Sequence, residues 1–179
     1  MILSGPEIRK QLVEGRILIE SFDDAQVNPA SYDLRLGRSV VMYEISGPPW
    51  LDCARAQATT QFEISDDFVL FPGRLYLMHT VERVRTDHFV PIVDGKSSIG
   101  RLGVFVHVTA GYGDPGFDGQ YTLEVLATYP TVVYAGMRFA QIRFHTIQGD
   151  VELYDGNYCE EYSRGPQPSR VWKQFERKT

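Results

Sequence analysis

Thr109-Ala-Gly-Tyr-Gly-Asp-Pro-Gly-Phe-Asp-Gly-Gln-Tyr-Thr-Leu-Glu124 opens as a turn rich in glycine and proline and closes as a short alternating strand. Read as a strand, residues 121 to 126 send Thr122, Glu124 and Leu126 to one face and Tyr121, Leu123 and Val125 to the other, because strand side chains alternate with a period of two. The same texture repeats on both sides. Brief apolar runs occur at Val40-Val-Met-Tyr43, Phe68-Val-Leu-Phe71, Leu75-Tyr-Leu-Met78, Val104-Phe-Val-His-Val108, Val132-Val-Tyr134 and Phe139-Ala-Gln-Ile-Arg-Phe144. Breakers separate them at Gly47-Pro-Pro49, Pro72-Gly73, Asp114-Pro-Gly116 and Ala135-Gly136. Such spacing predicts a mainly β protein, a sandwich, jelly roll or distorted barrel, rather than an α/β sheet.

One helix is expected, at the N-terminus. Ser4-Gly-Pro-Glu7 has the pattern of a capping box, Ile8 and Leu12 share a face, and Gly15 can end the helix in a left-handed conformation. Arg16-Ile-Leu-Ile-Glu20 then reads as extended. The 179 residues suffice for one domain with a real core, over 1–179, and contain no internal repeat. Residues 154–179 have little periodicity and are expected to form an arm or lid.

Composition narrows the function. With 18 Lys and Arg against 23 Asp and Glu, the net charge of −5 argues against an extended basic footprint for nucleic acid. Glu7, Arg9, Lys10, Glu14 and Arg16 exclude a signal-peptide core, and no apolar run reaches membrane-spanning length, so a cytoplasmic protein is expected. Cys53 and Cys159 are the only cysteines, too few for a disulfide framework or a four-cysteine zinc site.

Two segments carry candidate chemistry. Gly95-Lys-Ser-Ser98 resembles the end of a phosphate-binding Walker loop, but Val90 stands where that motif requires glycine. A turn of this composition can still offer amides, hydroxyls and an ammonium to phosphate, or it can simply be a turn. Glu124 stands among apolar neighbours, where desolvation favours the protonated form and suits a group that passes protons near neutral pH. The alternative is an edge-strand glutamate facing water. Asp114 has a similar choice between ligand and turn residue, His107 between core and site, and Arg101 between ligand and surface cation.

The order of these residues is informative as a set. Across nearly its whole length the chain resembles the dCTP deaminase family, a branch of the trimeric dUTPase superfamily. The resemblance rests on Met1-Ile-Leu-Ser4, Asn28-Pro-Ala-Ser-Tyr-Asp-Leu-Arg-Leu-Gly37, Gly95-Lys-Ser-Ser-Ile-Gly-Arg-Leu-Gly103, His107-Val-Thr-Ala-Gly111, Asp114-Pro-Gly-Phe-Asp-Gly119, Thr122-Leu-Glu124 and Gly165-Pro-Gln-Pro-Ser-Arg170. It implies a homotrimer of dUTPase-like distorted jelly-roll barrels, of the β-clip kind, with nucleotide sites between subunits. Lys96, Ser97, Ser98, Ile99, Gly100 and Arg101 match the phosphate and catalytic-support loop, and Asp114 matches the aspartate that holds the deoxyribose 3′-hydroxyl. Thr122, Leu123 and Glu124 match the segment lining the base, with Glu124 as proton acceptor and donor. Gln141 and either Tyr158 or Tyr162 match further nucleotide contacts. The implied ligands are dCTP and dUTP, with dTTP a candidate inhibitor and Mg²⁺ carried on the triphosphate.

Replacing the cytosine amino group by oxygen needs an activated water, and zinc commonly supplies it through His-x-Glu and Cys-x-x-Cys ligands. None of His79, His88, His107 or His145 is followed by Glu at the second position, and Cys-x-x-Cys is absent. Glu124 must therefore activate the water directly, with Ser97 and Arg101 orienting it by analogy with the family.

The chain also departs from the family. Gly113 replaces an apolar residue before Asp114, which suggests a looser loop, and the tail Asn157-Tyr-Cys-Glu-Glu-Tyr-Ser-Arg-Gly-Pro166 lacks counterparts of the usual lysine and glutamine. Thr109, Ala110 and Gly111 resemble the bifunctional members that continue from dUTP to dUMP. Two rival readings are a dUTP pyrophosphatase without deaminase activity and a nucleotide-sensing trimer without turnover.

Overall fold

Strand after strand is short and apolar on at least one face, so each must pair and then bury that face against another sheet. A computed structural model describes residues 1–45, 50–107, 109–158 and 164–176. Gly47-Pro-Pro49, Val108, Cys159 and Tyr162 lie outside the described residues. In chain order the elements are α1 (Gly5–Val13), β1 (Leu18–Ile19), β2 (Tyr32–Arg35), β3 (Ser39–Tyr43), β4 (Thr59–Glu63), β5 (Asp67–Leu70), β6 (Tyr76–Arg85), β7 (Phe89–Gly95), α2 (Ser97–Gly100), β8 (Val104–Phe105), β9 (Asp118–Ala127), β10 (Thr131–Tyr134) and β11 (Arg138–Thr146), with 3₁₀ turns at Asp24–Gln26 and Val171–Phe175.

Every named pairing is antiparallel. One sheet runs β4-β3-β6-β9-β8 with β1 added to β6, a second runs β2-β11-β7, and a third pairs β10 with β5. Their inner faces share one core in which Tyr32, Tyr76, Leu123, Phe139 and Phe144 are sealed from solvent. Each side chain of this size contributes about 1.5–3 kcal/mol by leaving water. The result is the mainly β architecture that the turn spacing predicts, of the jelly-roll kind that the family resemblance implies.

Helix α1 starts as expected, with the Glu7 amide donating to Ser4 Oγ at 3.4 Å, although the Glu7 carboxylate turns to Gln11 instead of closing the box. Gly15, at φ +69°, follows its end.

Three differences from the sequence pattern shape the site. Phe89–Gly95 does not read as a strand because Pro91 interrupts it, yet it pairs along its length with β11. Proline is tolerated there because β7 is an edge strand of its sheet. The other side of β7 receives the motif loop: the Val93 amide donates to the Gly111 carbonyl at 2.7 Å and the Gly113 amide to the Pro91 carbonyl at 2.8 Å. The loop is consequently fastened rather than loose. A Cβ on Gly111 would meet the Val93 carbonyl oxygen at 2.3 Å, and one on Gly113 would meet Tyr121 Oη at 2.7 Å, so absence of a side chain is what allows the close approach. Second, β2 lies inside the Asn28–Gly37 motif, where Tyr32, Asp33 and Leu34 are all buried and no alternation announces a strand. Third, the run expected over 104–108 pairs only through Phe105, after which the chain leaves the sheet and brings Thr109 to Glu124.

Two buried imidazoles make the fold sensitive to acid. His79 Nε2 accepts the Ser39 amide at 3.2 Å and Nδ1 lies 2.8 Å from the Thr80 carbonyl, which defines a neutral ring. Burial pushes His79 and His107 below the ordinary imidazole range, against the opposing influence of Thr80 and of Glu124 respectively. An unfolded chain binds protons near pH 6.5 that these rings refuse when folded. Their contribution is therefore present above about pH 6.5 and lost as pH falls through the lowered folded values. Urea unfolding at pH 7.5, 6.5 and 5.5 should show a midpoint that falls with pH, and His79→Asn should flatten that dependence. An unchanged slope in the variant would mean that His79 titrates alike in both states.

Candidate active site

The alternation of β9 supplies the site's wall. Its burial switches at every residue, with Tyr121, Leu123 and Val125 in the core and Gln120, Thr122 and Glu124 half-buried on the opposite face. That face borders a cavity of about 550 Å³. Asp114 and Ala110 of the motif loop form one side, residues 51–57 of the β3–β4 connection another, and Tyr154, Tyr158, Gln167 and Trp172 of the tail a third. Most of these are apolar or aromatic, as suits a flat heterocycle.

Glu124 is held at this wall. Thr109 Oγ1 donates to its Oε2 at 2.8 Å, and His107 Nδ1 is 4.0 Å from the same oxygen. The His107 side chain is 6 % exposed and its Nδ1 is buried with no hydrogen-bond partner among the described residues, while Glu124 keeps 29 % exposure. Desolvation of the carboxylate is thus only partial until something covers the cavity. Asp114 serves as both turn residue and wall: its carbonyl accepts the Phe117 amide at 3.2 Å, and the exposed residue lines the cavity. Burial raises the Tyr121 phenol well above its usual value, with the nearby Asp114 charge adding to the effect.

Of the residues matched to the base and sugar, Asp114, Thr122 and Glu124 come together here. Leu123 is fully buried in the core, so its side chain lines no part of the cavity and only its main chain is available to a base. The phosphate-type residues sit elsewhere: Lys96, Ser97, Ser98, Ile99, Gly100, Arg101 and Gln141 are all absent from the cavity lining. Ser97, Ser98, Gly100 and Arg101 are exposed on the single turn of α2, which Ile99 anchors in the core. Lys96 Nζ is 2.5 Å from Oδ1 of buried Asp33, which also accepts from Asn28 Nδ2 at 2.8 Å. Gln141 accepts from Ser31 Oγ at 3.1 Å and donates to the Gly95 carbonyl at 3.0 Å, bracing the start of this loop.

The tail crosses the cavity. Gly165 donates to Gln120 Oε1 at 2.8 Å, Gln167 to Thr122 Oγ1 at 2.9 Å and Ser169 to Tyr43 Oη at 2.7 Å, all through main-chain amides. Tyr158 lines the cavity, and its hydroxyl accepts the Arg170 amide at 3.1 Å while the Arg170 guanidinium lies 5.5 Å from its ring centre. Sequence reasoning placed Thr109 in the segment that bears on the reaction's outcome but gave its side chain no part toward Glu124, and it assigned none to Gln120 or residues 51–57. Gln120 could have been found from its parity with Thr122 and Glu124; the others are near only because of the fold. Among the described residues no group of three or more His, Cys, Asp or Glu could hold a metal, and no helix is long and apolar enough to cross a membrane.

Antiparallel β sheets beside an open aromatic cleft that Asp52, Asp114 and Glu124 line, with a hydroxyl-rich cationic turn outside it, define the fold and the site. The family described as dCTP deaminase-like matches residues 2–147. The chain belongs to that family. It is 43% identical over 178 residues, 98% of this chain and all of the relative, to a dCTP deaminase, dUMP-forming, of Hathewaya histolytica. A protein of the same description from Leptospira biflexa serovar Patoc is 44% identical over 180 residues, covering 99% of this chain and all of that one. The crystal structure of a 2′-deoxycytidine 5′-triphosphate deaminase from Agrobacterium tumefaciens superimposes with a TM-score of 0.64 at 28% identity over 81% of this chain, which spans 48% of that structure's chain.

Proposed function

We propose that this protein hydrolyses the 4-amino group of dCTP and carries the resulting dUTP on to dUMP and pyrophosphate. The observation that carries the reading is Glu124, standing on the cavity wall with one carboxylate oxygen tied to Thr109. A rival without deaminase activity has no use for a carboxylate fastened in that position.

In the deamination, a water gives a proton to Glu124 as its oxygen bonds to C4 of the base. The C4=N3 π pair moves onto N3, which takes that proton back from Glu124. The new hydroxyl then passes its proton through Glu124 to the amino group, the C4–N bond breaks, and ammonia leaves as the C4 carbonyl forms. Asp114 is suited to receive the sugar hydroxyl, and Thr122 and the main chain at Leu123 to meet the base edge. Ser97 and Arg101 orient the water, and Lys96, Ser98 and Gln141 belong to the triphosphate end.

Because those last residues lie outside the cavity of their own chain, a second copy must bring them to it. A homotrimer with three shared sites satisfies that requirement. Magnesium, when bound, would neutralise charge on the triphosphate, held through phosphate oxygens and water. Tyr158 is the tail tyrosine suited to cover the nucleotide. The second step is supported by kinship with dUMP-forming relatives and by Gly111, where a side chain would lift the loop and Ala110 with it off β7. A thymidine triphosphate that fits the same cavity would compete for it, and a cytoplasmic location matches a free deoxynucleotide substrate.

A time course with dCTP and Mg²⁺ in chelator-washed buffer, following base and phosphate species together, tests the reading. The expected products are dUMP and pyrophosphate with little free dUTP. Accumulating dUTP would remove the second step, and unchanged dCTP would remove the first.

A further inference from the structure

We infer that Thr109 is a positioning residue that sets which oxygen of Glu124 carries the proton, an inference that rests on the assignment of Glu124 as the proton carrier. Thr109 lies outside the sheet, beyond the end of β8, in the segment whose next residues are fastened to β7. Its hydroxyl reaches Glu124 Oε2 at 2.8 Å. A carboxylate oxygen that accepts this bond is occupied and fixed in direction. Oε1 is left as the oxygen that faces the reacting water and N3 of the base.

A second observation supports the asymmetry. His107 Nδ1 is 4.0 Å from Oε2, buried and without a hydrogen-bond partner among the described residues, so both neighbours from this segment lie on the same oxygen. The segment is held at its far end by the Gly111 and Gly113 bonds to β7. Thr109 therefore transmits the position of the loop to the carboxylate: if the loop shifts, the carboxylate loses its anchor. Such orientation matters because a small misplacement of a proton-transfer group costs large factors in rate.

Removing the hydroxyl leaves Glu124 without this anchor and free to rotate away from the reacting water.

The test compares Thr109→Val with Thr109→Ser in dCTP deamination, with Glu124→Gln as reference. Valine keeps the shape and loses the donor, whereas serine keeps the donor and loses a methyl group. Thr109→Val should lower kcat about tenfold with KM changed less than about threefold. Thr109→Ser should restore kcat. Equal loss of kcat in the two variants would assign Thr109 a packing role and overturn the inference, as would wild-type kinetics in Thr109→Val. If Glu124→Gln itself turns over normally, the failure lies with Glu124 and the inference falls with it.

Discussion

Glu124→Gln should reduce kcat for dCTP deamination by about 10²–10⁴ while dCTP still binds. The amide has the shape of the carboxylate and keeps an oxygen that can accept the Thr109 hydroxyl, so the 2.8 Å contact and the cavity wall survive. What disappears is the ability to take a proton from water and return it to N3. Every proton movement proposed here passes through this one group. The expected pattern is therefore a fall in kcat with KM altered by no more than about threefold, which separates a lost chemical step from lost binding. Chromatographic turnover assays and calorimetric titration with dCTP measure the two quantities. Near-wild-type turnover in the variant would end the proposed role.

The second large effect is expected from mixing two inactive proteins. Asp114 and Glu124 face the cavity of their own chain, whereas Ser97, Arg101 and Lys96 do not. A site assembled from two subunits can then be repaired in a mixed oligomer. Glu124→Gln supplies an intact phosphate turn, and Arg101→Ala supplies an intact base wall. In a trimer with three equivalent shared sites and random assembly from equal amounts, about one quarter of sites pair the two intact halves. Unfolding and refolding the two variants together should restore roughly a quarter of the wild-type rate, while each refolded alone stays inactive. Recovery absent from a mixture whose hybrid oligomers are demonstrated by mass spectrometry would place the whole site within one chain. Refolded wild type provides the reference for material lost in the procedure.

These experiments address different links in the same argument. The first tests what Glu124 does chemically, and the second tests how the fold distributes the remaining groups. The bond from Thr109 lies between them, because it joins the loop position set by β7 to the orientation of the carboxylate.

Much of the architecture is legible because local patterns and tertiary burial agree. The alternation over residues 121 to 126 reappears as core-facing Tyr121, Leu123 and Val125 and cavity-facing Thr122 and Glu124. Ser4 and Gly15 bracket α1 because caps depend on neighbouring backbone groups. Strand β7 was hidden by Pro91, whose cost depends on whether a partner needs its missing N–H, and that is a property of the sheet. Strand β2 was hidden for the opposite reason: burial on both faces erases alternation. Gly113 illustrates the same limit. A glycine in a loop suggests looseness, but here it permits a hydrogen bond to Pro91 and contact with Tyr121 that a side chain would block.

By itself the amino-acid sequence determined the mainly β character, the N-terminal helix, the family motifs and the parity that sends Glu124 away from the core. All of these depend on residues close together along the chain. Only the tertiary structure decided that Thr109 holds Glu124, that Lys96 is paired with buried Asp33, that residues 51–57 and the tail enclose the cavity, and that the phosphate-type turn stands outside it. Those facts depend on which distant segments the sheets bring side by side, and hydrogen bonds and packing across such distances leave no periodic trace in the sequence.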